Sequence, residues 1–123
     1  MKPDSKKVKY DLEERTFIFS KNVREFIRFI PRTLSNIEDS RQLIRSSGTI
    51  GANYIEANES LGQKDFLMKV KISRKEAKES IYWLKLLDTG SDENLSESKK
   101  ILTQEATELM LILSSILRKS TKN

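Results

Sequence analysis

The sequence predicts an all-α protein that folds as an antiparallel, up-down-up-down four-helix bundle. Four long segments repeat apolar residues at steps of three and four, which is the spacing of one helix face. Only 4 Gly and 2 Pro occur among the 123 residues, which is too few for a β-rich fold with many turns. Short breaks separate the segments, and short connections make consecutive helices antiparallel neighbours.

The first helix is predicted from about Leu12 to Ile30. Its buried positions alternate steps of four and three, as in the seam of a helical bundle, and comprise Leu12, Thr16, Phe19, Val23, Phe26 and Ile30. Pro31 lacks a backbone N–H and restricts the residue before it, so we expect the helix to stop or kink there.

The second helix is predicted to begin near Leu34, with Ser35 as its N-cap in a capping box with Glu38, and to end at Gly62. It carries two neighbouring faces: Ile37, Ile44, Gly48, Ala52 and Ile55 on one, and Leu43, Ile50, Tyr54 and Ala57 on the other. Each Gly inside a helix costs about 1 kcal/mol relative to Ala. We therefore expect another helix to approach the small residues of this segment closely.

The third helix is predicted from about Gln63 to Asp88, and the fourth from about Glu93 to Arg118. The core positions of the third are Phe66, Val70, Ser73, Ala77, Ile81, Leu84 and Leu87. On the fourth helix, heptad steps separate Leu95, Leu102, Leu109 and Ile116. The break between the two contains Gly90, and either Ser91 or Asp92 can cap the last helix.

The absence of His and Cys excludes several kinds of chemistry. No disulfide, thiolate zinc site, or Ser-His or Cys-His catalysis is possible. Glu76 and Glu79, like Glu105 and Glu108, have the spacing of di-metal carboxylate sites, but those sites also use His. We predict no cofactor, no metal and no small-molecule substrate. A carboxylate-metal enzyme using Glu56, Glu76 and Glu79 is the third-ranked hypothesis.

The net charge of +5 is located at the two ends of the chain. Residues 1–10 carry a net +3, residues 118–123 another +3, and the stretch between them a net −1. We therefore divide the chain into a basic N-terminal tail (1–10), a bundle domain (11–118) and a C-terminal tail (119–123). No apolar run is long enough to cross a bilayer and no targeting segment is recognisable, so we expect a cytoplasmic protein without a membrane partner.

Basic residues at helical spacing form rows that could follow a phosphate backbone. The candidate nucleic-acid contacts are Lys21, Arg24 and Arg28 on the first helix, Arg41 and Arg45 on the second, and Lys71, Arg74, Lys75 and Lys78 on the third. Acidic residues interleave with these rows, so an ordinary solvated surface is the other interpretation. Asn53 and Glu56 lie one turn apart and indicate either a ligand site or a buried polar pair that sets helix register.

The segment from Gln42 to Ala57 (QLIRSSGTIGANYIEA) resembles the signature of the four-helix bundle proteins encoded by intervening sequences in bacterial 23S rRNA genes. The similarity continues at Lys64–Phe66 and Ile72–Leu84. The motif, packing or interface residues it singles out are Arg45, Ser46, Gly48, Gly51, Asn53, Glu56, Phe66 and Trp83.

The resemblance implies a left-handed antiparallel bundle that assembles as a homo-oligomeric ring, typically a homopentamer. The accessory variability determinant of diversity-generating retroelements resembles this family. It forms such a barrel and binds nucleic acid and a reverse transcriptase. Apolar residues left over after one core is filled would then line subunit interfaces, with Phe17, Phe29, Leu67, Tyr82 and Trp83 as candidates. The leading hypothesis is a non-enzymatic homo-oligomer that binds RNA or DNA through basic surface residues. The alternative is a protein-protein interaction adaptor with no nucleic-acid role.

Overall fold

Four α-helices joined by short turns make up the part of the chain that the structure describes. A computed structural model describes the backbone of residues 2–121 and the side chains of residues 12–121. The helices are α1 (Lys2–Ile27), α2 (Leu34–Asn58), α3 (Gln63–Leu86) and α4 (Glu93–Ser120). Each packs against the next along the chain, and α4 packs against α1, so α1 lies diagonally opposite α3. The predicted four-helix bundle is confirmed.

One row of side chains from each helix fills the core. All six predicted positions of the first helix are buried, and so are Val70, Ser73, Ala77, Leu84 and Leu87 of the third segment. Of the two faces predicted for α2, only the one with Leu43, Ile50, Tyr54 and Ala57 is buried. Ile37, Ala52 and Ile55 of the other face remain exposed. Ala52 and Ile55 line a groove between α1 and α2, and Ile37 lines a hollow beside the turn that joins these helices.

The ends of α1 differ from their predicted positions. The helix begins at Lys2, ten residues before the expected start at Leu12, and ends at Ile27 rather than at Ile30. Ile30 is still buried, although it lies in the turn before Pro31. The division into tails and a bundle domain stays a prediction, and Lys122 of the C-terminal tail lies outside the described residues.

The helix caps correct two details of the sequence analysis. Thr33, not Ser35, caps α2: its Oγ1 accepts a hydrogen bond from the Asn36 N–H at 3.2 Å, which places Ser35 inside the first turn. Gly62 does not end α2, which already ends at Asn58. It is instead the N-cap of α3. Asp92 caps α4 as expected, and it accepts from the Leu95 N–H at 3.1 Å.

A buried amide joins two turns at one end of the bundle. The Asn36 Nδ2 donates to Pro31 O and to Asp88 O, both at 2.8 Å, and its Oδ1 accepts from the Asp88 N–H at 3.0 Å. Beside it, Lys99 Nζ donates to Leu87 O at 2.7 Å, a carbonyl just past the end of α3. These contacts hold the α1–α2 and α3–α4 connections together. None of the helices in the described chain has the length and hydropathy needed to cross a membrane.

Candidate nucleic-acid interface

The predicted basic residues of α1 and α3 do not form one surface. Lys21 is exposed on α1, and Arg28, which was predicted on the same helix, is exposed in the turn directly after Ile27. Lys71, Lys75 and Lys78 are exposed on α3. Because α1 and α3 occupy diagonal corners of the bundle, these rows face away from each other on one chain. A single straight nucleic-acid strand therefore reaches one row or the other.

The cations of the first basic row contact residues of α1. Lys21 Nζ lies 5.8 Å from the centroid of the Phe17 ring. Arg28 forms an ion pair with Glu25 at 3.3 Å. Arg24 donates to Ser20 O at 3.2 Å and also contacts the Ser20 Oγ. Glu25 therefore neutralises one of the three charges in this row.

Arg45 of α2 joins α2 to α3. Its guanidinium forms ion pairs with Glu79 at 3.0 Å and with Glu76 at 3.4 Å. Glu76 is only 6% exposed, and its Oε1 has no hydrogen-bond partner among the described residues. The acidic residues that interleave with lysines in the sequence of α3 thus turn towards α2. Arg41, the other candidate on α2, borders a shallow apolar hollow with Ile37.

Five lysines are exposed along the outer face of α3, together with Met68 and Tyr82. Lys71, Lys75 and Lys78 are continued by Lys64 and Lys85, which the sequence analysis missed although they keep the same helical spacing. We call these five residues the α3 lysine row. Each is exposed, and none forms an ion pair with a carboxylate of residues 12–121. Arg74 instead points to α4, where it lines a pocket with Lys71 and Arg118.

The small and hydroxyl residues of the motif pack helices together. Ser46 Oγ lies 2.9 Å from Ser80 Oγ of α3, and Ser73 of α3 donates to Ile50 O at 2.7 Å. Gly51 lies directly against Thr16 of α1, as expected for a close helix approach. The three serines are buried between helices, whereas Gly51 and Thr16 also line the groove between α1 and α2.

Asn53 and Glu56 do not form a joint site. Asn53 is half-buried, and its Nδ2 donates to Thr49 O of the preceding turn at 2.9 Å. Glu56 is exposed and forms an ion pair with Lys69 of α3 at 2.8 Å, which raises the pKa of that ammonium group. Both side chains therefore have structural partners, one within α2 and one across the α2–α3 boundary.

The aromatic candidates divide into two groups. Phe66 and Trp83 are half-buried and pack against the core, as does Leu67. The Trp83 ring meets Tyr82 edge-on at a centroid distance of 5.0 Å, and its Nε1 has no hydrogen-bond partner among the described residues. The exposed candidates are Phe17, Phe29 and Tyr82.

The paired carboxylates are bound by cations. Arg15 of α1 donates to Glu105 at 2.7 Å and to Glu108 at 2.6 Å, which ties α1 to α4. Hydrogen bonds from Gln104 and Arg15 lower the pKa of Glu108. Within the described chain, no group of three or more Asp or Glu side chains is arranged to hold a metal ion.

Comparison with known proteins relates this fold to one family. The family model of the 23S rRNA-intervening sequence protein matches residues 9–115. A solved structure from Bacteroides thetaiotaomicron, a protein of unknown function from the S23 ribosomal protein family, is similar. It is 28% identical, with a TM-score of 0.74, over 86% of this chain and 97% of that one. No curated protein matches the chain. The chain belongs to the 23S rRNA-intervening sequence protein family.

Proposed function

We propose that the protein is a non-catalytic, homo-oligomeric nucleic-acid-binding protein whose α3 lysine row contacts the phosphate backbone of RNA. The observation that carries this proposal is the uniform charge of that row. Five exposed lysines share one helix face, and the neighbouring carboxylates of α3 pair with Arg45 instead. The match to a family named for an rRNA intervening sequence makes RNA the first ligand to test.

The dimensions of the row suit contact with several phosphates. Lys64 and Lys85 are 21 positions apart, which corresponds to about 31 Å along a helix. Lysine ammonium groups bind phosphates as point charges and read no bases, so we expect little sequence preference. If all five lysines contact single-stranded RNA, log K should fall with log salt with a slope of about −3.5.

Two matched variants test where RNA binds. Lys75→Gln with Lys78→Gln removes two charges from the α3 lysine row. Lys21→Gln with Arg28→Gln, the α1 variant, removes two charges from α1 and the turn that follows it. Fluorescence anisotropy with a labelled oligonucleotide across a salt series gives affinity and slope for each. We expect the α3 variant to weaken binding and reduce the slope by about 1.4 in magnitude. The α1 variant should change both much less.

The result has a clear contrary outcome. RNA binding that does not depend on salt, or that is equal in the wild type and the α3 variant, would contradict the assignment to the lysine row. Loss of binding in the α1 variant alone would move the interface to the opposite corner of the bundle. A DNA oligonucleotide of the same sequence shows whether the ribose hydroxyl contributes.

Self-association is the second part of the proposal, and the groove between α1 and α2 supports it. Phe17 is 60% exposed and Ile55 48% exposed, on either side of a hollow floored by Gly48, Gly51 and Ala52. Exposed apolar side chains beside small residues allow a neighbouring surface to approach closely. We place a subunit interface at this groove, with the homopentamer as the leading assembly.

Light scattering tests the assembly. The monomer mass is 14.3 kDa, and a pentamer would have five times that mass. Ile55→Glu in the groove should dissociate the assembly, whereas Leu111→Glu, at an equally exposed leucine of α4, should not. A monomeric wild type would contradict self-association. A monomer that also fails to bind RNA would favour the second candidate, an adaptor that uses the same groove to bind another protein.

A further inference from the structure

A pocket between α3 and α4 gathers three cations and two hydroxyl groups. It is lined by Lys71, Arg74, Ser114, Leu117, Arg118 and Thr121. None of its lining residues is acidic. Unlike the rest of the α3 lysine row, which lies along an open helix face, these groups converge from two helices on a single recess.

The polar groups of the pocket are available to a ligand. Within residues 12–121, the side chains of Lys71, Arg74 and Arg118 form no ion pair, and no hydrogen bond engages the Ser114 hydroxyl. The Thr121 hydroxyl donates its one proton to Leu117 O at 3.0 Å, with Arg118 O at 3.2 Å, so Ser114 is the hydroxyl of the pocket that can donate to an anion. Three like charges without a counter-charge repel one another, and a bound anion would relieve that repulsion.

The C-terminal end of α4 lies near the pocket. Its carbonyl groups repel an anion less strongly than they would if they lacked hydrogen-bond donors. The C-terminal carbonyls of a helix carry partial negative charge when they lack donors. Here Leu117 O accepts from the Thr121 N–H at 3.1 Å as well as from its hydroxyl. Ser120 O accepts from Gln63 Nε2 at 2.7 Å.

We propose that this pocket binds a phosphate monoester, with the guanidinium groups of Arg74 and Arg118 and the ammonium group of Lys71 on its oxygens. A monoester carries about 1.5 to 2 negative charges at neutral pH, against one for a phosphodiester, and it presents three acceptor oxygens. Two arginines provide forked donors for those oxygens, and Ser114 can donate another hydrogen bond. Such a site favours the terminal phosphate of a strand, or a free mononucleotide, over an internal backbone phosphate.

The assignment of an RNA end as the ligand rests on the proposed RNA binding. Two pairs of probes therefore test the pocket, one with an RNA strand and one without. One arm compares a 5′-phosphorylated oligouridylate with the same strand bearing a 5′-hydroxyl group. The other compares adenosine 5′-monophosphate with adenosine, which involves no strand and, of the α3 lysine row, only Lys71. Binding is measured by anisotropy for the strands and by calorimetry for the nucleotides.

Two neighbouring residues provide matched variants. Arg118→Gln removes a pocket cation, and Lys119→Gln removes an equal charge from the next residue, which does not line the pocket. Arg118 is exposed and unpaired among the described residues, so the variant should fold, and its thermal unfolding checks this. Arg74→Gln gives an independent second variant on α3.

We expect the phosphorylated strand to bind roughly tenfold tighter than the hydroxyl strand, which is the effect of about one charge-assisted hydrogen bond. Arg118→Gln and Arg74→Gln should remove this preference, and Lys119→Gln should keep it. The same pattern with adenosine 5′-monophosphate alone would support the pocket with a free nucleotide as its ligand. Equal binding of phosphate and hydroxyl probes in both arms, or equal effects of Arg118→Gln and Lys119→Gln, would overturn the proposal.

Failure of this site and failure of the proposed function give different results. If strands bind through the α3 lysine row without regard to their ends, the pocket is refuted and RNA binding stands. If no strand binds but adenosine 5′-monophosphate still binds in an Arg118-dependent manner, RNA binding is refuted and the phosphate site stands.

Discussion

Gly51→Ala should destabilise the protein even though Ala is the better helix former. An alanine Cβ at this position would lie 2.8 Å from Thr16 Oγ1 and 3.2 Å from Thr16 Cβ. Thr16 is itself only 1% exposed, so neither side chain has room to move. Gly48→Ala is the matched control in the same helix. Its Cβ would lie 3.6 Å from Arg24 Nη2 and 3.8 Å from Ser20 Oγ, which are ordinary contacts.

Both substitutions change the free energy of unfolding through helix propensity, but only one of them also changes it through packing. Each gains about 1 kcal/mol from the higher helix propensity of Ala. Only Gly51→Ala adds the cost of overpacking, which is about 1 to 3 kcal/mol in a well-packed core. We therefore expect Gly48→Ala to raise the free energy of unfolding by up to about 1 kcal/mol. Gly51→Ala should be about 1 to 3 kcal/mol less stable than Gly48→Ala.

Urea denaturation monitored by circular dichroism measures both values at one protein concentration, because self-association makes the apparent stability depend on concentration. Thr16→Ala, which removes the closest atom, should restore part of the loss in the Gly51→Ala background. The coupling energy from this double-mutant cycle should be favourable and exceed about 0.5 kcal/mol. A Gly51→Ala variant as stable as Gly48→Ala would refute the close approach of α1 and α2 as the reason for this glycine.

Three further predictions follow from the buried and paired groups. Asn36→Ala removes three hydrogen bonds between two turns and should cost about 2 to 4 kcal/mol in urea denaturation; a loss under about 1 kcal/mol would show that the amide is not needed. Arg45→Ala should cost about 1 to 3 kcal/mol because it leaves the buried Glu76 carboxylate unpaired, and adding Glu76→Gln should recover part of the loss. The pKa of Glu108 is lowered from its ordinary value of 4.5 by a hydrogen bond from Gln104 and, next in size, by one from Arg15. The stability that the Arg15–Glu108 contact contributes is therefore fully present above the ordinary pKa of the glutamate, and it is lost as pH falls through the lowered pKa. In thermal unfolding measured at a series of acid pH values, the difference in Tm between wild type and Arg15→Gln should narrow as pH falls. A difference that stays constant to the lowest pH would contradict a role for the Arg15–Glu108 contact.

Apolar spacing was sufficient to predict the helices and most of the core. Every predicted core position from Leu12 to Phe26 is buried, because a repeat of alternating threes and fours places side chains on one side of a helix. Ile30 is buried too, but from the turn after the helix. The caps were less predictable. Both Thr33 and Ser35 are good N-cap residues, and the choice between them depends on where the preceding turn brings the chain.

The role of each charge depended on the packed structure. The sequence shows Glu76 and Glu79 among lysines of α3, which suggests a mixed surface, but the packing of α2 against α3 turns both towards Arg45. The outer face of α3 is basic only because those carboxylates face elsewhere. Likewise, Arg74 and Arg118 are 44 positions apart in the sequence and meet in one pocket only through the packing of α3 on α4.

The sequence by itself determined which residues form helices and which side of each helix is apolar, because both properties depend on neighbours within four positions. It also determined, through the absence of His and Cys, that imidazole and thiolate chemistry are impossible. Only the tertiary structure decided that α1 and α3 lie at opposite corners, which separates their basic rows. It also decided which carboxylates neutralise which cations. Coulomb attraction weakens with distance, and the distances between these side chains are set by the fold.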